Sequence, residues 1–403
     1  VEVEQLEQPL AVHHQLVAQH EGERRVGRSV VVVFLHAGDV AGDIDAGDGG
    51  FHMRIVHRHM AAEGAEMTEL FNNELYLKCS DSSIQIETKL PCTVEEEGTV
   101  VMPGRITNDL IRKMKGKGID FESHDNTMSI KCGRSSGELQ FFDAQDYPSM
   151  DDMQGDMKLT IKQNVFRSMI KQTAFCCADE KESKAILHGV YIEFTEDDTI
   201  NMVALDGFRM AIRTEKAQIS GTKRNVVVHG RTMLDIASIL SDTEDEITVT
   251  VSMTHISIDL GDTKIKARLL KGEYINYRNI LPKVFNNRVV VEKEPLLRSI
   301  ELASLFALDS QNNLLRLDFE NGILGITARS ETGKIDEKID INLTGSPIEI
   351  AFNAKYLMDI VRSVDEDFVS MSLTSSVTPC VFEPVQGNKF YYLVLPVRLL
   401  KAM

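Results

Sequence analysis

The feature that most constrains this chain is a repeat. A short apolar strand, a turn and an amphipathic helix carrying Asp before a branched apolar residue recur three times, about 125 residues apart. The copies fall at residues 100–114, 226–240 and 348–364. Aligned, Asp109-Leu110, Asp235-Ile236 and Asp359-Ile360 coincide, then Ile111, Ala237 and Val361, then Met114, Leu240 and Val364. That spacing predicts three helices, each burying one face. The stretches after them alternate, as in Ile247, Val249, Val251 and in Val369, Met371, Leu373, which predicts strands with one apolar side. A second anchor, Asp146-Tyr147-Pro148-Ser149 and Glu273-Tyr274-Ile275-Asn276, recurs at nearly the same offset. The fold class read from this pattern is α+β, with three similar modules in tandem at 67–155, 156–285 and 286–403. At roughly 100 to 200 residues per domain the length accommodates them.

Membrane and redox readings are simple. The apolar stretch within residues 28–35 is far shorter than the ~20 residues a bilayer requires and reads as a buried strand. The start of the chain carries no signal-peptide pattern, so a cytoplasmic protein is expected. Cys79, Cys92, Cys132, Cys176, Cys177 and Cys380 show no CxxC spacing, and neighbours in sequence rarely bridge, so they read as reduced core thiols.

A net charge of -17 argues at first against nucleic acid, since phosphate binding rests on Lys and Arg. The distribution says otherwise. Cations gather on predicted helices: Arg112, Lys113, Lys115 and Lys117 in the first module, Lys162, Arg167, Lys171, Lys181 and Lys184 in the second, Arg298, Lys355 and Arg362 in the third. A single such helix would read as a solvated face, but recurrence in every module points to a shared basic surface.

Catalytic constellations are missing. There is no phosphate loop of the Walker type, no nucleophile elbow and no HExxH helix. His52, His57 and His59 with Asp43, Asp45 and Asp48 fail both the calcium-loop pattern and ordinary zinc spacing, so no metal and no cofactor are expected. Asp206-Gly207-Phe208-Arg209 reads first as a tight turn, with Gly207 supplying backbone freedom, and second as an acid beside an anion-binding arginine.

The carboxyl end is the most specific segment. Residues 390–399, Phe-Tyr-Tyr-Leu-Val-Leu-Pro-Val-Arg-Leu, form a strand running into an apolar tail, which must either pack as an edge strand or line a groove. This ending resembles that of the bacterial beta sliding clamp family, the processivity subunits of replicative DNA polymerases. Four further motifs resemble the family in its order: Lys184-Ala185-Ile186-Leu187-His188-Gly189-Val190, Leu205-Asp206-Gly207-Phe208-Arg209-Met210, Tyr274-Ile275-Asn276-Tyr277-Arg278 with Ile280-Leu281-Pro282, and Phe352-Asn353-Ala354-Lys355-Tyr356. The likeness spans about residues 72–399.

The resemblance implies three DNA-clamp modules per protomer and a head-to-tail homodimer closed into a ring around duplex DNA, with helices lining the pore and antiparallel sheets outside. Basic helices would face phosphates without reading sequence, and the acidic remainder would face solvent. It also implies a groove between the second and third modules that takes short apolar peptides of the replicative polymerase, the clamp loader and repair polymerases. Its matching residues are Leu187, Leu205, Gly207, Phe208, Arg209, Met210, Ile275, Ile280, Leu395, Pro396, Val397, Arg398 and Leu399. Burying roughly 300 Å² of apolar peptide surface at about 25 cal/mol per Å² gives on the order of 7 kcal/mol before association costs, an exchangeable complex. Two other readings stay open at this point: a peptide-binding scaffold that encircles nothing, and a metal-dependent hydrolase using the amino-terminal Asp and His residues.

Several positions depart from the family. Ile275 stands where Pro is common, Asn279 and Asn312 where relatives carry bulkier or basic side chains, and Leu400-Lys401-Ala402-Met403 runs past the usual ending. Residues 1–66 contain no Lys, Asn, Thr, Cys or Tyr, yet hold seven of the eleven histidines. They do not align with the family's first strand and helix. They read as sequence foreign to the module, such as a shifted reading frame or misassigned start, with a genuine extra domain as the alternative.

Overall fold

The computed structural model describes residues 33–34, 66–81, 83–116, 118–144, 147, 150, 155–181, 184–307 and 313–398. Period-two patterning builds its sheets. In Met157–Lys162 the side chains of Met157, Leu159 and Ile161 are buried while Lys158 and Lys162 point to water, and Asn287–Glu292 repeats the pattern with Asn287, Val289 and Val291 inside. Ile247, Val249 and Val251 are buried on one side of Glu246–Val251 as their alternation requires.

Five α-helices lie among the described residues: α1 Gly104–Lys113, α2 Gln163–Ala174, α3 Gly230–Ile239, α4 Lys293–Ala307 and α5 Ala354–Ser363. The repeated strand-turn-helix is present three times, as Gly98–Met102 into α1, Val226–His229 into α3 and Ile348–Asn353 into α5. The inward faces are those the spacing selects: Met233, Ile236 and Ala237 on α3, and Leu357, Ile360 and Val361 on α5. Helices α2 and α3 pack together in one module, α4 and α5 in the next.

Two nine-stranded antiparallel sheets cross the boundaries between modules. In one, Thr263–Arg268, the last strand of the second module, pairs with Ile84–Pro91 of the first. In the other, Phe390–Val394, the last strand of the third, pairs with Arg209–Lys216 of the second. A five-stranded sheet ends on Ser135–Gln140 and a four-stranded one on Lys334–Asp340.

The short strand Val33–Phe34 sits between Thr93–Val94 and Asp120–His124. Met157–Lys162 occupies the same slot between Gln218–Gly221 and Glu246–Val251, and Asn287–Glu292 the same slot between Asn342–Thr344 and Phe368–Leu373. Two residues of the unaligned amino-terminal segment thus fill the first-strand position of the first module. They belong to the apolar run read as a strand from sequence. The candidate metal ligands Asp43, Asp45, Asp48, His52, His57 and His59 lie outside the described residues, as does Asn312.

Helix ends correct part of the basic pattern. Helix α2 stops at Ala174, where the amides of Cys176 and Cys177 turn back onto the carbonyls of Thr173 and Ala174. Lys181 and Lys184 therefore stand in the following loop and not on a helix, Lys162 closes a strand, and Lys115 lies beyond the end of α1. Arg112, Lys113, Arg167, Lys171, Arg298, Lys355 and Arg362 are helical, and Lys117 is outside the described residues. Among the described residues no helix is long and apolar enough to cross a membrane.

Candidate functional site

The site forms around the hairpin Thr199–Leu205 and Arg209–Lys216. Its turn is set by Asp206, whose Oδ1 accepts from the amides of Phe208 (2.8 Å) and Arg209 (2.9 Å), while Gly207 adopts φ 92°. A side chain at position 207 would meet no neighbour, so backbone conformation rather than space requires glycine there. The turn pushes Phe208 outward, where it is 53% exposed and stacks on Tyr356 of α5 at 5.8 Å between ring centroids.

Arg209 faces the other way. It is 7% exposed; Nε donates to Asp206 Oδ2 (2.9 Å), Nη1 to Asp359 Oδ2 (2.6 Å) and Nη2 to the carbonyl of Phe175 (2.9 Å), with its guanidinium over the rings of Phe175 and Tyr356. It ties the turn to α5 and to the end of α2, so it holds the two modules together. The first part of its sequence reading holds, since the tight turn is present; the second changes, because the cation is already satisfied by carboxylates and is not an open anion site.

Next to the turn, Leu187, Leu205, Met210, Tyr277 and Leu393 belong to one compact apolar cluster. Its rim carries half-exposed Ile275, Ile280 and Leu395. The tail crosses between modules, with the Leu395 amide donating to the Phe208 carbonyl and the Val397 amide to the Ala351 carbonyl, both at 2.8 Å. Pro396 and Val397 are partly covered and Arg398 is exposed, while Leu399 lies outside the described residues. Sequence reasoning missed Tyr274, Tyr277 and Tyr356, which back the rim. The tyrosines at 274 and 277 were visible as an aromatic pair flanking Ile275, but nothing local says that they pack inward.

On the helical side, a cleft of about 500 Å³ between α2 and α5 brings Arg167, Lys171 and Arg362 together with Asp242, Asp359 and Asp365. Three predicted phosphate-facing cations already have carboxylate partners: Lys162 with Glu244 (2.8 Å), Arg167 with Asp242 (3.8 Å) and Arg362 with Glu301 (2.8 Å). Such exposed pairs are worth little and exchange easily. Among the described residues no group of three or more His, Cys, Asp or Glu side chains can hold a metal. Burial pushes the thiol of Cys176 well up and that of Cys177 up to about 12, so neither is a ready nucleophile.

Three family models cover the described modules in order: the DNA polymerase III beta subunit N-terminal domain over 68–151, the central domain over 160–276 and the C-terminal domain over 278–398. The chain belongs to the DNA polymerase III beta subunit family. Its relatives include the beta sliding clamp of Staphylococcus aureus, 28% identical over 337 residues covering 81% of this chain and 89% of that protein. The Staphylococcus epidermidis protein is 27% identical over the same span. Among solved structures, the sliding clamp from Bacillus subtilis superposes with a TM-score of 0.83 at 22% identity, covering 92% of this chain and 100% of that one. The Pseudomonas aeruginosa sliding clamp bound to griselimycin gives 0.82 at 21% identity with the same coverage. The likeness to these structures establishes the fold. Membership of the family establishes a sliding-clamp function, that of a processivity subunit without catalysis of its own, and the hydrolase and scaffold alternatives fall away.

Proposed function

We propose that two copies of this chain close head to tail into a six-module ring around duplex DNA and hold the replicative polymerase on its template. The observation that carries this reading is an unmade join. Thr263–Arg268 meets Ile84–Pro91, and Phe390–Val394 meets Arg209–Lys216, so twice the last strand of one module pairs with the fourth strand of the preceding one. The equivalent strands left over are Ser135–Gln140 and Lys334–Asp340, both at free sheet edges. An unpaired edge seeks a partner strand, and the same join made with a second copy at each end closes the ring. Within it the modules divide near residues 156 and 286. The cations of α1, α2, α4 and α5, with those of the adjoining loops, then supply the inner surface, and contact stays sequence-independent.

The groove of Leu187, Leu205, Met210, Ile275, Ile280, Leu395 and Val397, roofed at one side by Phe208, is the docking place for short apolar peptides of the polymerase, the clamp loader and repair polymerases in turn. Apolar walls with few polar groups suit such a ligand. The ring works in the cytoplasm on nucleoid DNA. Loading the protein with a bacterial clamp loader and ATP onto nicked circular duplex, then cutting the circle, tests encirclement. Release on cutting is expected. Protein that stays bound to the linear product would be held by affinity and would overturn the ring.

A further inference from the structure

The rim segment of the groove is fastened to the sheet beneath it at one carboxylate. Glu193, on the strand Gly189–Phe194, is 9% exposed and accepts four hydrogen bonds. Arg278 grips both oxygens, Nη1 to Oε1 and Nη2 to Oε2 at 2.6 Å each; Tyr277 OH donates to Oε2 at 2.7 Å and Asn201 Nδ2 to Oε2 at 3.0 Å. Asn201 is itself fixed, its Oδ1 accepting from Thr214 Oγ1 at 2.8 Å. Two residues earlier on the same strand, and therefore on the same face, Tyr191 stacks on Tyr274 with ring centroids 4.8 Å apart and planes 6° from parallel. The rim is thus pinned at Tyr274 and at Tyr277-Arg278. Ile275 and Ile280, the residues it presents, lie between and just past those pins and are 38% and 42% exposed.

Glu193 is too deeply covered to meet a peptide, and its acceptor sites are taken. The Arg278 guanidinium, 4.8 Å over the Tyr277 ring, spends its charge on the same carboxylate. Position 275 sharpens the dependence. A proline there would fix φ by its ring, whereas isoleucine leaves that torsion to be held by neighbours.

We propose that Glu193 is the positioning residue of the groove: it sets where Ile275 and Ile280 stand, and peptide affinity passes through it. This rests on the peptide-groove reading above. A buried carboxylate with bidentate arginine and phenol donors is a stiff anchor, because removing its charge leaves several donors poorly paired.

Two measurements on the full chain separate this inference from the reading it rests on. The first is amide hydrogen exchange over residues 274–281 in Glu193→Gln and, as a milder variant that keeps the ring, Tyr277→Phe. Faster exchange in that segment, about tenfold for Glu193→Gln, with residues 199–205 unchanged, is expected; unchanged exchange would overturn the anchor. The second is fluorescence anisotropy with a fluorescein-labelled decapeptide ending in two leucines. Glu193→Gln is expected to weaken binding about tenfold in the wild-type background and less than twofold when Ile275 and Ile280 are both alanine. An equal loss in both backgrounds would mean that Glu193 acts on general stability, and would overturn the inference. Loosened exchange in a protein whose wild type does not bind the peptide would overturn the groove reading instead, and the positioning role with it.

Discussion

Arg209 shows how much a single residue can hide. The turn it closes was legible, because Asp-Gly is a local signal with a local mechanism. Its principal partner, Asp359, is 150 residues away on another module, and no spacing rule points there. Replacing the side chain by methionine leaves Asp206 and Asp359 facing a buried space without their cation, so Arg209→Met is expected to cost about 3 kcal/mol, read as a lowered midpoint in urea unfolding. Glu193 gives the pH counterpart. Burial raises its carboxyl, but hydrogen bonds from Arg278, Tyr277 and Asn201 outweigh burial and hold it below the ordinary glutamate range. A lowered folded-state pKa contributes stability that is present above the unfolded value, about 4.3, and disappears as the pH falls through the folded one. The stability gap between wild type and Glu193→Gln should therefore be constant above about pH 5 and narrow in more acid solution. A gap that widens in acid would contradict this assignment.

Among the elements, the three strand-turn-helix copies were readable because both periods are written in adjacent residues. Helix ends were not. The cations at 162, 167, 171, 181 and 184 all read as helical from sequence, but the helix ends at Ala174 and the next helical turn is the short 3₁₀ segment Ala185–His188. Nothing in the apolar spacing marks that stop, since Phe175 and Cys176 continue it. The start of α5 was better signalled: Asn353 stands immediately before the apolar face, and its Oδ1 accepts from the amides of Lys355 (2.9 Å) and Tyr356 (3.4 Å). Asn353→Ala should destabilise the protein by about 1 kcal/mol. Because Tyr356 carries the stack with Phe208, the same change should also quicken hydrogen exchange at the Phe208 turn, whereas a loss confined to the helix would show the two elements to be uncoupled.

In the whole molecule, the tandem modules follow from sequence, but their joins do not, because alternation shows which face of a strand is buried and not which strand lies beside it. The structure answers twice, and in the proposed ring a second copy supplies the third answer. The free edge Lys334–Asp340 carries Lys334, Asp336, Glu337, Lys338 and Asp340, charges of the kind that guard an edge against indiscriminate pairing while permitting a complementary one. Helix α4 packs on that strand and exposes Leu302 and Leu305, the latter 63% accessible, so an apolar patch lies beside the unpaired edge. If this is where the second copy seats, Leu305→Asp places a charge in a desolvated contact and should drive the protein to a single chain of 45.1 kDa in sedimentation at concentrations where the wild type is twice that mass. The variant monomer should keep the wild-type peptide affinity, since the groove is built within one chain, while losing retention on circular DNA. A Leu305→Asp protein that remains a dimer would move the join away from this edge.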